Sequence, residues 1–309
     1  MILETSAFIA TFILMPPLIV GVIRKTKARF QNRIGAPLLQ PYFDLFKLLG
    51  KSETISKHTS WIFRSTAAIN VSLLIMLAFL APWTSLKPFA SGGDLFLVIY
   101  LLALTRFFTV LSALDAGSAF GGFGASREVT LALLVEPAVI LCLASLGSVS
   151  QTSDLTIAFS FTNEALRNQP GLWFLAGCGL FLASLVELSR MPADDPTTHL
   201  ELTMVHEAMI LENSAANLAL VEYAHFLKIL ILLGISSQCL LHAIPFFWQT
   251  SELIRALASL ACIIVLAMSI AVIESVAVKL RWTKLPEFIA YSVAMSIFCM
   301  FIALGKNLN

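Results

Sequence analysis

Val129-Thr-Leu-Ala-Leu-Leu-Val-Glu136-Pro137-Ala-Val-Ile-Leu-Cys-Leu-Ala-Ser-Leu-Gly-Ser-Val149 is an apolar run broken by one carboxylate and one proline. Its length matches the roughly 20 residues a helix needs to cross the hydrocarbon core of a bilayer. Glu136 is out of place there, since a charged side chain at mid-bilayer costs roughly 2.5–3.5 kcal/mol even on the lenient insertion scale. Such a residue faces the bundle interior and has a partner. Pro137 withholds an amide proton, so the carbonyl of Leu133 loses its usual helical donor. In lipid, such a break is tolerated where protein or water satisfies the freed group. The stretch therefore predicts a membrane span and, at Glu136, either a proton-handling group or a structural ion pair inside it.

Outward from this run the same pattern recurs. Charge-poor stretches predict eight spans, at about 5–23, 65–86, 95–114, 129–149, 168–190, 229–250, 256–274 and 288–305, with Arg106 interrupting the third. The chain of 309 residues is 58% hydrophobic and 13% charged, with mean hydropathy +0.86. A water-soluble domain carries about 25% charged residues, so an all-α integral membrane protein is predicted, as a single membrane domain. No internal repeat, low-complexity tract or soluble domain is visible. The first span contains Pro16-Pro17 and runs into a basic loop without a small-residue cleavage site, so it is read as a span and not as a cleaved signal. Pro16 and Pro17 leave the carbonyls of Phe12 and Ile13 without helical donors.

Basic residues predict the orientation. With the N-terminus outside, inner segments hold Arg24, Lys25, Lys27, Arg29, Arg33, Lys47, Lys51, Lys57, Arg64, Arg127, Arg190, Lys228, Lys279, Arg281 and Lys284. Outer segments hold Lys87, Arg167, Arg255 and Lys306. The positive-inside rule then places both termini in the periplasm and the loops 24–64 and 190–228 in the cytoplasm of a bacterial inner membrane.

Three features carry chemistry. In the first inner loop, Gly35 and Pro37 make a turn, and apolar residues from Leu38 onward recur at helical spacing. This predicts an amphipathic loop helix, either lying at the interface or forming a platform for a soluble partner, with Asp44 and Lys47 spaced to pair. The second feature is the membrane carboxylates Glu136, Glu187 and Glu274, with Glu128 beside Arg127 at the expected membrane edge. Glu187 and Arg190 are three residues apart and are read either as a structural pair or as a proton-handling pair. The third is the segment from Asp194 to Glu222, which holds Asp194, Asp195, Glu201, Glu207, Glu212 and Glu222 with no Lys or Arg among them. Close carboxylates repel and hold protons more readily, which suits a proton funnel; an acidic surface docking a basic partner is the competing reading.

Other patterns exclude functions. The five cysteines are isolated in apolar runs, without the close spacing of iron–sulfur or zinc sites. His206-Glu207 begins an HExxH pattern but Ile210 occupies its fifth place, and His199 with His206 lacks a nearby third ligand. Gly121-Gly122-Phe123-Gly124 follows a span, so it serves close backbone approach and not a dinucleotide. No basic nucleic-acid surface is present.

The loop residues Asn32-Arg33-Ile34-Gly35-Ala-Pro37, Leu39-Gln40-Pro41, Asp44 and Lys47-Leu48-Leu49 resemble the first cytoplasmic loop of a complex I membrane family, that of mitochondrial subunit 1. Gly124-Ala-Ser-Arg127-Glu128, Val135-Glu136-Pro137 and Glu187-Leu-Ser-Arg190-Met-Pro192-Ala-Asp-Asp195 resemble two further regions of it. The tract Glu201 to Glu212 and Ile273-Glu274-Ser275 with Leu280-Arg281 are similar to the branch containing component C of hydrogenase-4 and, more distantly, the membrane subunit of formate hydrogenlyase. The resemblance covers essentially the whole chain, and departs from the complex I pattern after Glu201, where a quinone cavity is not expected. It implies a docking loop (Arg29, Asn32, Arg33, Gly35, Pro37, Asp44, Lys47, Arg127, Arg190) and a carboxylate-lined proton path. It also implies hydrogenase-like large and small subunits, an iron–sulfur subunit and antiporter-like membrane subunits as partners. Nickel–iron and iron–sulfur centres are expected in those partners, and no cofactor in this chain. The leading expectation is thus a membrane anchor and proton-coupling subunit. An independent ion transporter or channel is the alternative, although the broken spans show no matching pair in the second half; a plain membrane tether is a third.

Overall fold

A computed structural model describes residues 2–86, 93–194 and 204–307. Among these residues the chain forms α1 (Ile2–Phe30), α2 (Gln40–Leu49), α3 (Trp61–Leu80), α4 (Leu95–Asp115), α5 (Ala119–Ser150) and the short α6 (Leu155–Ala158) and α7 (Glu164–Arg167). Then follow α8 (Pro170–Glu187), the short α9 (His206–Ile210), α10 (Ala215–His242), α11 (Glu252–Val276) and α12 (Leu285–Asn307). The described residues form no β-strand beyond a single bridge between Asp94 and Asp154. Eight helices are long and apolar enough to cross a membrane: α1, α3, α4, α5, α8, α10, α11 and α12.

Local sequence explains several helix starts. Ser60, Asp94 and Ser118 stand at the N-caps of α3, α4 and α5, each accepting from an amide of the first turn that would otherwise lack a partner. Proline does not break the long spans: α1 continues through Pro16-Pro17 and α5 through Pro137. The carbonyl of Ile13, released by Pro17, accepts from the Tyr223 hydroxyl of α10 at 3.4 Å, and the adjacent Leu14 carbonyl accepts from Tyr42 of α2. α10 thus supplies the donor that Pro17 withholds from Ile13.

The most buried span is α10, which packs on α1, α3, α8 and α11. A second group joins α4, α5, α8 and α12, and α8 links the two. Large apolar residues exposed on the outer spans, such as Phe107, Leu133, Val265 and Phe298, form the lipid-facing belt expected of such a bundle. Two of the three glycines at the start of α5 serve close packing as expected, a Cβ at Gly121 lying 2.6 Å from the Ala113 carbonyl and one at Gly124 2.8 Å from that of Val205, whereas Gly122 borders open space. All five cysteines are free, and Cys142, Cys239 and Cys299 are buried as small apolar residues.

Two faces can be told apart by contacts. Ser60 bonds Asp115, Thr54 bonds Ser214, and Leu280 bonds Pro192, so segments 31–60, 116–118, 188–194, 211–214 and 277–284 share one face. Asp94 pairs with Asp154 and Lys306 reaches the Ala165 carbonyl, which puts the C-terminal end of α12 on the opposite face with segments 93–94 and 151–169.

Helix boundaries differ from the expectation where charges had been taken as membrane edges. α10 begins at Ala215 and not at 229, and α5 begins at Ala119 and not at 129. α1 runs on to Phe30, beyond the expected 23. Lys228 and Glu128 are buried and paired within the bundle, and a paired charge need not end an apolar helix. The loop drawn at 190–228 is correspondingly shorter, and its residues 195–203 lie outside the described residues.

Candidate functional site

Arg106 is the lone charge inside the α4 run, and the bundle is organised around it. Its guanidinium hydrogen-bonds Glu136 of α5 and Glu187 at the end of α8, and its Nε lies 3.5 Å from Glu128 of α5. Lys228 of α10 closes the group, its Nζ 2.9 Å from Glu187 Oε1 and 3.1 Å from the Glu187 carbonyl. Three carboxylates therefore face two cations across four helices. Burial is uneven: the Glu187 side chain is 6% exposed and Glu128 10%, whereas Glu136 is 40% exposed at the outer side of α5.

A second cluster lies nearer the 31–60 face. Glu274, at the end of α11, is fully buried between Lys27 of α1 at 3.1 Å and Arg190 at 3.2 Å. Asp194 accepts from the Val205 amide at 2.9 Å and pairs with Lys279. Around these groups a cavity of about 300 Å³ is lined by Arg24, Lys27, Asp194, Glu207, Glu222 and Glu274, among others.

Deeper in the bundle a second cavity of about 50 Å³ is lined by Arg106, Glu128, Glu187 and Lys228 with Asn70, Thr105 and Thr109. That is room for one or a few waters. The two cavities share Ser189, His206 and His225 as walls. The imidazoles of His206 and His225 stack with centroids 4.4 Å apart. His206 Nε2 and Asn70 Oδ1 are buried polar atoms with no hydrogen-bond partner among the described residues, and both line the inner cavity. A buried polar atom without a partner costs about 1–3 kcal/mol, so water in the cavity is the natural partner. Burial, reinforced by Lys228 and Arg190, pushes the His206 pKa down from 6.5 to about 4 and keeps this ring neutral at neutral pH.

The expected site residues divide accordingly. Glu128, Glu136 and Glu187 converge on Arg106, and Glu207, Glu222 and Glu274 line the outer cavity. Asp195 and Glu201 lie outside the described residues. Glu212 is exposed and lines neither cavity. Glu128 lies inside α5, which begins nine residues before it at Ala119, and is buried against Arg106. The expected Glu187–Arg190 pair is replaced by crossed partners, Arg106 and Lys228 for Glu187 and Glu274 for Arg190. The reason is local. α8 ends at Glu187 and Ser189 turns to φ 48°, so a spacing of three no longer means one helix face. Counter-charges absent from the 194–222 segment come from other elements, Lys279 for Asp194 and Arg24, Lys27 and Arg190 around the outer cavity.

The loop residues form a separate surface. Gly35 has φ 67°, and a Cβ there would lie 2.5 Å from that of Ala28, so both conformation and space demand glycine. Lys25 ties the turn by donating to the Ile34 carbonyl at 2.8 Å. Asp44 takes Arg24 at 3.4 Å and Gln40 at 2.8 Å as partners, in place of the Lys47 expected from spacing. Arg29, Asn32, Arg33, Pro37 and Lys47 are exposed, as are the apolar Phe43 and Phe46 of α2. Arg127 instead turns inward, donating to the Met204 carbonyl at 3.2 Å and lying 5.9 Å over the Trp282 ring.

Sequence reading passed over Arg106 as a bare interruption, and Lys228, His225 and Lys27 entirely as site residues. A lone arginine inside an apolar span was the available signal, since such a charge requires partners on other helices.

Eight bilayer-length helices packed around buried ion pairs, with cavities lined by ionisable groups, define a multi-pass membrane protein. The chain belongs to the family described as NADH dehydrogenase, which matches residues 3–304. It is 37% identical over 217 residues to hydrogenase-4 component C of Escherichia coli (strain K12), covering 70% of this chain and 68% of that one. It is 32% identical over 218 residues to formate hydrogenlyase subunit 4 of the same organism, covering 70% of each. An NADH-quinone oxidoreductase subunit of Geobacillus thermodenitrificans (strain NG80-2) is 27% identical over 195 residues, 58% of this chain and 56% of that one. Among solved structures, a chain of the membrane-bound sulfane sulfur reductase, an archaeal respiratory membrane complex, superposes with TM-score 0.79 over 98% of this chain and 99% of that chain. At 19% identity that likeness establishes the fold alone.

Proposed function

We propose that the chain is the membrane anchor and proton-coupling subunit of an energy-converting hydrogenase or related complex I-like oxidoreductase. In this reading the 31–60 face is cytoplasmic in a bacterial inner membrane, and both termini are periplasmic, following the basic residues of that face. The exposed surface of Arg29, Asn32, Arg33, Pro37, Lys47 and α2 seats a peripheral arm of hydrogenase-like large and small subunits and an iron–sulfur subunit, which carries the nickel–iron and iron–sulfur chemistry. Antiporter-like membrane subunits lie beside the outer side of α5.

The observation that carries the reading is the pair of cavities meeting at Ser189, His206 and His225. Together they line up ionisable groups from the 31–60 face to Arg106, and beyond it to the partly exposed Glu136. The inner group has one more carboxylate than cation, so a proton shared among Glu128, Glu136 and Glu187 balances its charge. Redox-linked movement at the peripheral arm would load and release that proton.

Purification in mild detergent is expected to bring down hydrogenase-like and antiporter-like proteins. Glu136→Gln, at the least buried of the three acids, is expected to leave the complex assembled and to abolish redox-linked proton movement in inverted vesicles. Unchanged proton movement in an assembled Glu136→Gln complex removes Glu136 from the path. A tether without proton movement is the second reading, favoured by the ion pairing of Glu136, Glu187 and Glu274. Unchanged proton movement in both the Glu136→Gln and Glu187→Gln complexes selects the tether. Ion flux through the chain reconstituted alone would instead establish a transporter.

A further inference from the structure

At the end of the bundle opposite the ionic cavities, a groove of about 620 Å³ opens between the start of α1, the segment after α3, the loop before α7, the end of α10 and the start of α11. Its deep wall holds Gln238, 2% exposed, whose Oε1 accepts from Ser85 at 3.3 Å. Gln238 Nε2 has no hydrogen-bond partner among the described residues. The enclosed amide makes the deep wall polar behind an otherwise largely apolar lining.

The rim is charged and balanced. Glu252 and Arg255, three residues apart in the first turn of α11, are the charged residues among the described lining. Arg255 is half-buried, with its guanidinium carbon 4.5 Å from the centre of the Phe161 ring, which fixes the cation at the mouth. Leu253, 71% exposed, stands at the level of the rim, and below it Leu257, 61% exposed, and Leu260 continue an apolar track along α11. Arg255 and Glu274 stand near the two ends of this helix, and at 1.5 Å per residue they are separated by about 28 Å along its axis. That is close to the roughly 30 Å of bilayer hydrocarbon. With Glu274 near the 31–60 face, Arg255 falls at the headgroup level of the other leaflet.

The geometry points to a binding site for one glycerophospholipid with a phosphoethanolamine headgroup, held in the leaflet opposite the 31–60 face. The phosphate pairs with Arg255, the ammonium with Glu252, and the acyl chains run down Leu257 and Leu260. A zwitterionic headgroup matches the one cation and one anion among the described rim residues; an anionic lipid would leave Glu252 opposed to phosphate. The volume lies within the 300–1,000 Å³ of ordinary ligand pockets. The site is independent of the coupling role proposed above.

The test is lipid mass spectrometry on the whole complex, purified in mild detergent and washed with further detergent to strip loosely held lipid. Wild type is expected to retain about one phosphatidylethanolamine per chain. Arg255→Gln and Leu257→Trp, the latter filling the groove from an exposed position, are each expected to lower that retention at least 5-fold in assembled complex. Glu252→Gln is expected to shift the retained species towards phosphatidylglycerol. Retention that ignores Arg255→Gln and Leu257→Trp overturns the site. Equal retention of phosphatidylglycerol by wild type overturns the headgroup assignment. Crosslinking of Leu257→Cys to another subunit of the complex makes the groove a protein interface and overturns the lipid.

Discussion

The two ion clusters look alike at first and differ in their arithmetic. Around Arg106, three carboxylates meet two cations, with the guanidinium shared among all three acids. Around Glu274, one carboxylate lies between two cations, Lys27 and Arg190. The first arrangement has one more carboxylate than cation and borders the inner cavity. In the second, Glu274 is already compensated by two cations, with Asp194, Glu207 and Glu222 around the same cavity, and the clamp stitches α1, α11 and the segment after α8 together. The difference teaches that burial of an acid does not by itself mark a proton site. What matters is whether its partners already balance it.

The largest effect expected from breaking this contrast is at its hub. Arg106→Gln strands three acids, two of them buried, and leaving buried charge uncompensated costs about 3–5 kcal/mol. The complex is expected to lose thermal stability by that order, or to fail to assemble, as read by melting in detergent. Glu274→Gln is expected to cost about 3 kcal/mol, the low end of the same range, because Lys27 and Arg190 then repel one another across a neutral amide. If the clamp is purely structural, complexes that survive this change keep redox-linked proton movement. Its loss at unchanged stability would move Glu274 into the path and dissolve the contrast.

The junction between the clusters gives a pH signature. His206 has a folded pKa of about 4, below its ordinary 6.5, so the unfolded chain binds the proton first on acidification. Stability is therefore expected to be undiminished by this group above pH 6.5 and to fall between 6.5 and 4, by about 2 kcal/mol at pH 5. His206→Gln should flatten that part of the melting curve; an unchanged slope would show that the ring is not buried next to Lys228 as described. The smallest effect is a surface control. Lys284 and Glu287 pair at 2.7 Å but are 58% and 65% exposed, so Lys284→Ala is expected to change stability by about 0.5 kcal/mol or less. A larger loss there would mean that exposed pairs contribute more in this bundle than the comparison allows.

Much of the architecture was legible in the chain. Apolar runs of bilayer length announce themselves one by one, so eight spans, the turn at Gly35 and the amphipathic α2 follow from local pattern. Boundaries fared less well, and for one reason. Lys228, Arg127 and Glu128 were read as edges because a charge in lipid is costly, whereas a charge paired across helices is not in lipid at all. The same blindness governed the site. Glu136, Glu187 and Glu274 stood out as acids in greasy surroundings, but their partners Arg106, Lys228 and Lys27 lie 30 to 247 positions away in the chain, as the Arg106–Glu136 and Lys27–Glu274 pairs show. The spacing of Glu187 and Arg190 suggested a pair that the end of α8 prevents.

The sequence by itself determined a polytopic helical membrane protein, the family its loops resemble, and which acids are costly enough to need a reason. These follow from composition and from periodicity over one helix length, where neighbours along the chain are neighbours in space. Only the tertiary structure decided which cation each acid meets, that His206 and His225 stack between two cavities, and that a groove opens around Gln238. Those facts depend on which helices abut and how each is rotated about its axis. That outcome is set by packing across the whole bundle, and no local window of the chain contains it.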